Sequence, residues 1–488
     1  MASSLKKELW RTPDLMGFAA HWTWIWCLFW SSLFYSEGKL LTPTAETSGL
    51  QGIAMLSLEP LWVASLLTNV VTIACLLACS RFRNPLADIR FLPHSAGILT
   101  MLGTLALSHD ALTLAGTAAW SVYLAGSLLT GIGSGIVVVL WAELFASLGP
   151  KRTVHYSVIA LLFAALAYLL IRLLSNDVAQ LIVAFLPCIS MGCFLHFKQS
   201  VPRPPRRTRN ARVKERPPVR MIAVASFFGL SFGIMKGLIA PVGDDWIVIR
   251  DILNIVAIVG GSLAIFITMS VYKMDFDHLT YQIALPLMAA GFLFLPLHEP
   301  WNVIGTAVHQ FGYQYFYIVL WALWPVLSAR RNVPAGWVVC WGLLFIQLGQ
   351  FVGSIAASCT LSLIEDDLGM AMVSAFVIFF ILIIALFALG NGSTSTGWGF
   401  VKPMEEADAT SNFEKAGTRL ARRCHLSPRE IEVFFLLAKG RNRAYIREEL
   451  VIGDETVKSH VKSIYRKANV HSQQELIDLL EQESNREK

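Results

Sequence analysis

The chain has 488 residues, of which 55% are hydrophobic and 15% are charged, with a formal net charge of +6. An ordinary soluble domain has roughly 25% charged residues, so this chain cannot cover its own surface with polar groups in water. Its charges are also unevenly placed, because positions 1–390 contain long uncharged apolar runs and positions 400–488 resemble a soluble protein in composition. These features exclude a simple soluble protein and predict a large membrane domain followed by a soluble one.

Twelve apolar stretches are candidates for transmembrane helices, each of which needs about 20 apolar residues. The first stretch lacks a cleavage site of small residues and further stretches follow it, so we expect a retained helix rather than a signal peptide. The segment Lys198–Arg220, with nine basic residues and one acid, separates two groups of six. The predicted spans are 15–36, 55–79, 91–108, 112–147, 153–174, 178–197, 219–241, 247–271, 281–297, 301–328, 335–358 and 368–390.

The loops between the predicted spans differ in charge. If the N-terminus is cytoplasmic, the inner segments hold twenty lysine and arginine residues and the outer segments hold three, Lys39, Arg172 and Arg250. An excess of basic residues marks the cytoplasmic side of a membrane protein. We therefore expect a protein of the inner (cytoplasmic) membrane with both termini in the cytoplasm, and we expect the basic segment 198–220 to contact anionic membrane lipid.

Two groups of six spans around a long cytoplasmic loop resemble the major facilitator superfamily of transporters. The resemblance covers residues 15–390 in topology only and implies two six-helix halves that enclose a central cavity. The loop between spans 2 and 3 departs from that family's GxxxDxxGRR/K motif, because Cys79–Arg90 reads CSRFRNPLADIR and has neither glycine. This departure favours a facilitator-like body that serves a purpose other than transport.

Polar residues interrupt several predicted spans. Such groups are costly in a membrane, so they mark a cavity or a contact with a partner. Lys236 lies in the middle of span 7, with Glu143 as its candidate charge partner, whereas Glu59 and His21 are expected near the membrane surfaces, where water hydrates them. The predicted ligand-cavity residues are Glu143, Lys236, His309, Gln310, Gln314, Gln347 and Gln350.

Aromatic residues and glycines also cluster in the predicted spans. Spans 1 and 10 are rich in tryptophan and tyrosine, which packing and interfacial belts explain for the most part. Their density favours an aromatic or amphipathic ligand over a sugar. The repeats Gly229, Gly233 and Gly237 and Gly349 and Gly353 predict close contact between helices.

Residues 426–480 contain the clearest local signals in the chain. Ser427 and Glu430 have the spacing of a capping box, and Pro428 stands at the first helical position, where its missing N–H is not needed. Gly440 ends this helix. Its predicted buried stripe consists of Ile431, Phe434, Phe435 and Ala438.

Three more short helices are predicted, over residues 443–450, 454–469 and 472–481. The middle one has apolar residues on one face and Lys458, Lys462 and Arg466 at four-residue spacing on the other. A helix of this kind can enter the major groove of DNA, where lysine reaches guanine acceptors or phosphates. Taken alone, the basic face favours the other interpretation, the solvated side of a small helical domain.

The order of residues favours the first interpretation. Leu426–Gly440 reads LSPREIEVFFLLAKG and Thr456–Val470 reads TVKSHVKSIYRKANV. Together they resemble the C-terminal DNA-binding domain of LuxR/NarL-type regulators over some 55 residues. The resemblance implies a four-helix helix-turn-helix domain that binds double-stranded DNA.

By position, the resemblance also implies individual roles. Lys458, Ser459 and Lys462 would face base edges, and Thr456 and Lys467 would lie near phosphates. The last helix would pair with its copy in a homodimer on a two-fold promoter site. The predicted DNA-binding residues are Thr456, Lys458, Ser459, Lys462, Arg466 and Lys467.

Two positions depart from the LuxR pattern. Arg447 replaces a small alanine that lets the central helices approach, and Gly453 replaces a serine that caps the recognition helix. These two positions bear on helix packing and on affinity rather than on the fold. Residues 418–488 have fourteen basic and eleven acidic residues, a net charge of +3, so we expect one copy to bind weakly and a dimer to be needed.

The sequence predicts an all-α protein with five segments. They are the membrane halves 1–197 and 221–390, the basic loop 198–220, a flexible linker 391–417 and the DNA-binding domain 418–488. We find no pairing of nucleophile and base, no metal-ligand cluster and no cofactor motif, so we expect a protein that is not an enzyme.

The preferred interpretation is a one-component regulator, in which a small molecule bound to the bundle controls DNA binding. Two alternatives remain open. One is a transporter with an attached regulatory domain, and the other is a regulator driven by a membrane protein partner.

Overall fold

A computed structural model describes seven stretches of the chain, and the chain divides into two compact units, Met1–Pro403 and Met404–Lys488. Every regular element in the described residues is a helix. The described residues are 14–34, 60–108, 117–200, 217–238, 244–361, 367–390 and 413–485, apart from positions 32, 83, 84, 273, 275, 277, 332, 414, 415, 439 and 451. Glu59, most of the basic loop and most of the predicted linker lie outside them.

The first unit has a described α-helix in each of the twelve predicted spans. A 3-10 turn, Leu86–Asp88, precedes the third helix, and a π-helical turn, His278–Ala284, precedes the ninth. The helices are α1 (Asp14–Phe29), α2 (Pro60–Ser80), α3 (Phe91–Ala106), α4 (Thr117–Leu148), α5 (Pro150–Ile171), α6 (Asn176–Ser200), α7 (Val219–Leu238), α8 (Asp244–Ser270), α9 (Leu285–Leu293), α10 (Trp301–Arg331), α11 (Ala335–Leu361) and α12 (Asp367–Gly390).

Seven of the described helices are long and apolar enough to cross a membrane: α2, α4, α5, α6, α7, α8 and α11. Shorter apolar helices lie at Phe91–Ala106, Leu279–Leu293 and Gly369–Ile381. Large side chains such as Leu173 and Phe376 are 82% and 69% exposed, an arrangement that suits contact with lipid rather than water. The membrane character predicted from composition is confirmed, whereas the number of spans stays a prediction.

Helices α7 and α11 pack backbone against backbone. A Cβ atom added at Gly229 would overlap the carbonyl oxygen of Ile346, and one added at Gly353 would overlap that of Leu230. Only glycine permits this approach. The close contact predicted from the glycine repeats is confirmed.

The two six-helix halves meet through an aromatic cluster of Phe18, Trp141, Phe145 and Trp321. The ring centroid of Phe18 in α1 lies 5.1 Å from that of Trp321 in α10 and 4.7 Å from that of Phe145 in α4. All four side chains are at most 2% exposed. The cluster is therefore a dry contact between residues far apart in the sequence.

The second unit contains four short helices around one core. They are α13 (Pro428–Ala438), α14 (Arg443–Leu450), α15 (Asp454–Ala468) and α16 (Gln473–Asn485). Residues 416–423 are also helical and contribute Ala416 and Leu420 to the core, so the core begins within the segment predicted as a linker.

The buried face of α13 differs from the predicted stripe. Val433 and Leu437 are fully buried beside Phe434 and Ala438, whereas Ile431 is only half-buried and Phe435 packs at the margin of the core. Residues 433–438 form an unbroken apolar run. Such a run predicts a buried helix without indicating which way the helix is turned.

Candidate nucleic-acid interface and candidate ligand cavity

The start of α13 is held by reciprocal hydrogen bonds. The Glu430 N–H donates to Ser427 Oγ at 3.3 Å, and the Ser427 N–H donates to Glu430 Oε2 at 2.7 Å. Gly440, with a φ of 74°, ends the helix in a conformation that favours glycine. The predicted capping box and stop are confirmed, and they orient α13 under the other helices.

Glu430 also fastens α15 to α13. Its carboxylate accepts hydrogen bonds from Lys467 Nζ and from Ser463 Oγ, each at 2.6 Å. Burial alone raises the pKa of the Glu430 carboxyl, but the hydrogen bonds from Lys467, Ser463 and Ser427 outweigh it and lower the pKa to about 2. The carboxylate therefore stays ionised and fixes α15 against α13.

Lys467 has partners within the domain. Its ammonium group donates to Glu430 and to the carbonyl oxygen of His425 at 3.2 Å. These internal partners satisfy the charge within the domain. The structure thus gives Lys467 a role in holding α13 and α15 together, while the residue remains exposed and its phosphate contact stays a prediction.

The other predicted DNA-binding residues share one exposed face of α15. Val457, Val461 and Ile464 occupy the opposite face and are buried in the core. This division makes α15 available as a recognition helix. The exposed residues are Thr456, Lys458, Ser459, Lys462 and Arg466.

Lys458 has acidic neighbours at the first turn of α15. Its Nζ lies 2.7 Å from Glu455 Oε1 and 2.9 Å from Asp454 Oδ2. Hydrogen bonds to Glu455 and then Asp454 raise the pKa of Lys458, and the bond from Lys458 lowers the pKa of Asp454. Since all three groups are exposed, DNA can displace the two acids at little cost.

The two departures from the LuxR pattern are accommodated without crowding. Arg447 projects into solvent, where its side chain is 48% exposed and lies 3.8 Å from Glu448, while the neighbouring Ile446 fills the core. Gly453 caps α15 with extended backbone and without a side-chain hydrogen bond. Neither residue displaces the core of the domain, in which Ile446 and Val457 are buried.

A cavity of about 110 Å³, open to its surroundings, lies between the two halves of the membrane unit. Helices α1, α2 and α4 line it from the first half, and α7, α8, α10 and α11 from the second. Its lining residues are His21, Trp22, Trp24, Ile25, Trp26, Phe29, Trp30, Trp62, Ser65, Leu66, Asn69, Ser134, Val138, Phe232, Ile258, Gln310, Tyr313, Gln314, Tyr317, Gln347 and Gln350.

The structure brings four of the predicted cavity residues together. Gln310, Gln314, Gln347 and Gln350 all line the cavity from α10 and α11. Gln350 Nε2 donates to the Tyr313 hydroxyl at 2.5 Å, whereas Gln314 Nε2 has no partner. The four amides give the cavity a polar side that faces the tryptophans of α1.

Glu143 lies elsewhere, against the turn between α2 and α3. Its two carboxylate oxygens accept hydrogen bonds from the N–H groups of Leu86 at 3.1 Å and Ala87 at 2.9 Å. Lys198 from α6 reaches the same turn and lies 2.9 Å from Asp88. Glu143 therefore fixes a turn and is not among the residues that line the cavity.

Lys236 and His309 also lie outside the cavity lining. Lys236 belongs to the last turn of described α7, not to the middle of a span, and its Nζ lies 4.7 Å from the ring centroid of Trp30 and 5.6 Å from that of Trp62. Cation–π attraction to these two rings replaces the predicted pairing with Glu143. The His309 ring is buried, with Nε2 3.3 Å from Ser231 Oγ.

Sequence reasoning missed part of the cavity. His21 was expected at a hydrated surface, but it is 1% exposed and lines the cavity with both ring nitrogens unpartnered. Asn69, Ser65 and Ser134 were not singled out. An amide in the middle of an apolar helix, as at Asn69, was the available signal.

The two units resemble different groups of known proteins. Residues 425–480 match the family "Bacterial regulatory proteins, luxR family". No curated protein matches the sequence. Several solved transporter structures resemble the membrane unit in fold.

Three such structures align with this chain over nearly their full length. The human organic anion transporter MFSD10 (TETRAN) is 14% identical, with a TM-score of 0.53, covering 76% of this chain and 97% of its own. A bacterial homologue of the iron transporter ferroportin is 12% identical, with a TM-score of 0.52 and coverages of 78% and 98%. The proton:xylose symporter XylE, of the major facilitator superfamily, is 12% identical, with a TM-score of 0.53 and coverages of 81% and 97%.

These likenesses confirm the fold expected from the two groups of six spans, and the family match confirms the DNA-binding domain. At such low identity the transporter structures carry no statement about what this bundle binds. The chain joins a multi-pass membrane domain, similar in fold to transporters of the major facilitator superfamily, to a C-terminal helix-turn-helix domain whose residues 425–480 match the luxR family of regulatory proteins.

Proposed function

We propose that the protein is a one-component transcription regulator of the cytoplasmic membrane, in which a small molecule bound to the bundle controls DNA binding by the tethered domain. The observation that carries this proposal is the presence, on one chain, of a recognition helix and a cavity with unpartnered buried polar groups. Such a chain needs no phosphorelay to connect a signal with a promoter.

Control follows from a shift between two packings of the six-helix halves. A ligand shifts such an equilibrium only by its difference in affinity for the two states. A difference of about 1.4 kcal/mol changes the ratio of states tenfold, which is enough for a promoter switch. The cavity is a suitable place for this difference to arise because residues of both halves line it.

The state of the bundle controls DNA binding by bringing two DNA-binding domains close together. One packing of the halves favours association of two bundles, which raises the local concentration of two DNA-binding domains. A homodimer then occupies a two-fold promoter site, with α16 as the helix that pairs with its copy. The modest net charge of +3 for residues 418–488 supports this step, because a single copy binds DNA weakly.

A transporter that also regulates is the second candidate, and the facilitator fold favours it. Uptake by proteoliposomes of a compound that changes transcription would support this candidate. A regulator driven by a membrane partner is the third. Ligand-induced thermal stabilisation of the purified protein alone would count against it.

The proposal is tested by transcription in living cells. Transcripts of a deletion strain and its parent identify the target promoter, and a reporter on that promoter then identifies the inducing compound. We expect Lys458→Ala to abolish the response and a cavity change, Gln314→Leu, to shift its dose dependence. A response that neither change affects would overturn the proposal.

A further inference from the structure

Five residues around the cavity bear buried polar atoms without a hydrogen-bond partner. Trp22 Nε1, Trp62 Nε1 and Gln314 Nε2 are donors, and Asn69 Oδ1 is an acceptor. A neutral His21 ring adds one donor and one acceptor. His21, Trp62, Asn69 and Gln314 are each at most 8% exposed.

Folded proteins pair nearly all of their buried polar groups. Other indoles of the bundle differ: Trp24 Nε1 donates to Thr104 Oγ1 at 2.9 Å and Trp141 Nε1 donates to Ser190 Oγ at 3.0 Å, whereas Trp324 Nε1 and Trp341 Nε1 have no partner and lie outside the cavity lining. Five residues with such atoms surround this one cavity, where a ligand can supply the missing partners. That ligand must offer acceptors to the indoles and a donor to Asn69.

The charge of the ligand follows from the lining. None of the 21 described lining residues is an aspartate, a glutamate, a lysine or an arginine. Lys236 is directed to the carbonyl oxygen of Phe29 and to the Trp30 and Trp62 rings. An ion that enters the cavity would lose its hydration without gaining an opposite charge.

The shape of the ligand follows from the rings. The ring centroids of Phe232 and Tyr313, both in the second half, lie 4.1 Å apart. Those of Trp22 in α1 and Tyr317 in α10 lie 5.6 Å apart, so this second pair joins the two halves. Broad aromatic walls of this kind bind the flat faces of ring compounds through stacking and apolar contact.

We infer that the cavity binds an uncharged ring compound that carries both hydrogen-bond donors and acceptors. The inference rests on the proposed function, since it names the chemical class of the regulating ligand. Phenolic amides and sugars both have this chemistry, and the probes below distinguish them.

The test uses the purified full-length chain and a matched set of probes. Para-hydroxybenzamide is neutral, para-hydroxybenzoate is an anion and para-hydroxybenzylamine is a cation at neutral pH, on the same ring. Xylose and inositol are uncharged rings without aromatic character. Binding is read from tryptophan fluorescence and from thermal unfolding.

We expect the neutral aromatic probe or the sugar probes to bind at least about tenfold more tightly than both ions, because only the ions lose hydration uncompensated. Whether para-hydroxybenzamide or a sugar probe binds more tightly distinguishes an aromatic ligand from a sugar. An ion that binds as tightly as the neutral probes, or a set in which no probe binds, would overturn the inference.

Two indole changes locate the binding. Trp22→Phe and Trp341→Phe each remove an unpartnered N–H and keep an aromatic ring, but only Trp22 lines the cavity. We expect Trp22→Phe to weaken binding of the neutral probe roughly 2- to 10-fold and Trp341→Phe to leave it unchanged. Gln314→Leu repeats the test if Trp22→Phe does not fold. Equal effects of the cavity variant and Trp341→Phe would contradict the assigned site.

The two proposals fail separately. Binding is measured without DNA, and regulation is measured with the promoter reporter. A neutral ring probe that binds but leaves the reporter unchanged keeps the ligand class and removes the proposed function. A charged inducer that binds in the cavity and changes the reporter keeps the proposed function and removes the inferred ligand class.

Discussion

The two units of this protein differ in whether the buried polar groups compared below have hydrogen-bond partners. In the DNA-binding domain the buried Glu430 carboxylate is bonded to Lys467, Ser463 and Ser427. Around the cavity of the membrane unit, Gln314 and His21 are as deeply buried and have unpartnered nitrogens. We interpret the partnered groups as holding the fold together and the unpartnered groups around the cavity as available for binding.

The surfaces of the two units differ as well. Helices of the membrane unit expose large apolar side chains such as Leu166 and Phe376, whereas α15 exposes Lys458, Lys462 and Arg466. One surface suits lipid and the other suits water and DNA. The predictions below test this division of roles, from the largest expected effect to the smallest.

Reporter fusions test whether the two units have the predicted surroundings. Fusions after Gly52, Arg212 and Gly417 should report outside, inside and inside, because the basic loops stay in the cytoplasm. The result is all-or-none at each position. A signal from outside at Gly417 would contradict DNA binding by the chain in the cell.

Replacing both Lys458 and Lys462 with alanine should weaken promoter binding, by roughly 10- to 100-fold for each lysine that bonds to a base. The measurement is a titration of promoter DNA at two salt concentrations, and a phosphate contact would instead lower the salt slope by about one. Arg422→Ala, which removes an exposed charge from residues 416–423, is the control. Unaltered binding by the double variant would show that α15 is not the recognition helix.

Glu430→Gln should lower the free energy of unfolding of a fragment covering residues 404–488 by about 2–3 kcal/mol, because Lys467 and Ser463 lose a charged acceptor. Urea unfolding followed by circular dichroism measures the change. Glu432→Gln is the matched control. Its side chain is 50% exposed beside Arg429, so we expect a loss below about 0.5 kcal/mol.

The same carboxylate predicts a pH dependence. The pKa of Glu430 falls from 4.5 to about 2 on folding, so its stabilisation is present above about pH 4.5 and is lost as the pH falls towards 2. The shift corresponds to about 3 kcal/mol. The Glu430→Gln fragment should lack this part of the acid destabilisation, and an unchanged pH profile would count against the assigned hydrogen bonds.

Two cavity glutamines give the smallest and most specific contrast. Gln350→Leu breaks the hydrogen bond to the Tyr313 hydroxyl and should lower the stability of the purified protein by about 1 kcal/mol. Gln314→Leu removes an unpartnered amide nitrogen and should leave stability unchanged or slightly higher. Thermal unfolding in detergent measures both. Equal losses of stability in the two variants would contradict the distinction between the partnered Gln350 and the unpartnered Gln314.

The DNA-binding domain was largely predictable because its signals are local. The Ser427–Glu430 capping box, the stop at Gly440 and the basic face of α15 each depend on residues a few positions apart. Lys467 was the exception. Its partner Glu430 lies 37 positions away, and no local pattern distinguishes a lysine that pairs inside the domain from one that faces DNA.

The membrane unit was predictable in its helices but only partly in its cavity. A helix that is apolar on all sides carries no periodic signal for its rotation, so the sequence does not tell which polar residue faces inward. Gln314 and Gln350 line the cavity as expected, whereas Glu143 binds the turn at Leu86 and Ala87. Its position depends on how α4 packs against the segment before α3.

The central claim is that the membrane bundle senses the signal that the DNA-binding domain converts into transcription. The most direct measurement replaces residues 1–390 with an unrelated, constitutively dimeric membrane anchor and follows the promoter reporter with and without the inducer. We expect this chimera to bind the promoter and to ignore the inducer. A chimera that still follows the inducer would show that the native bundle is not the sensor.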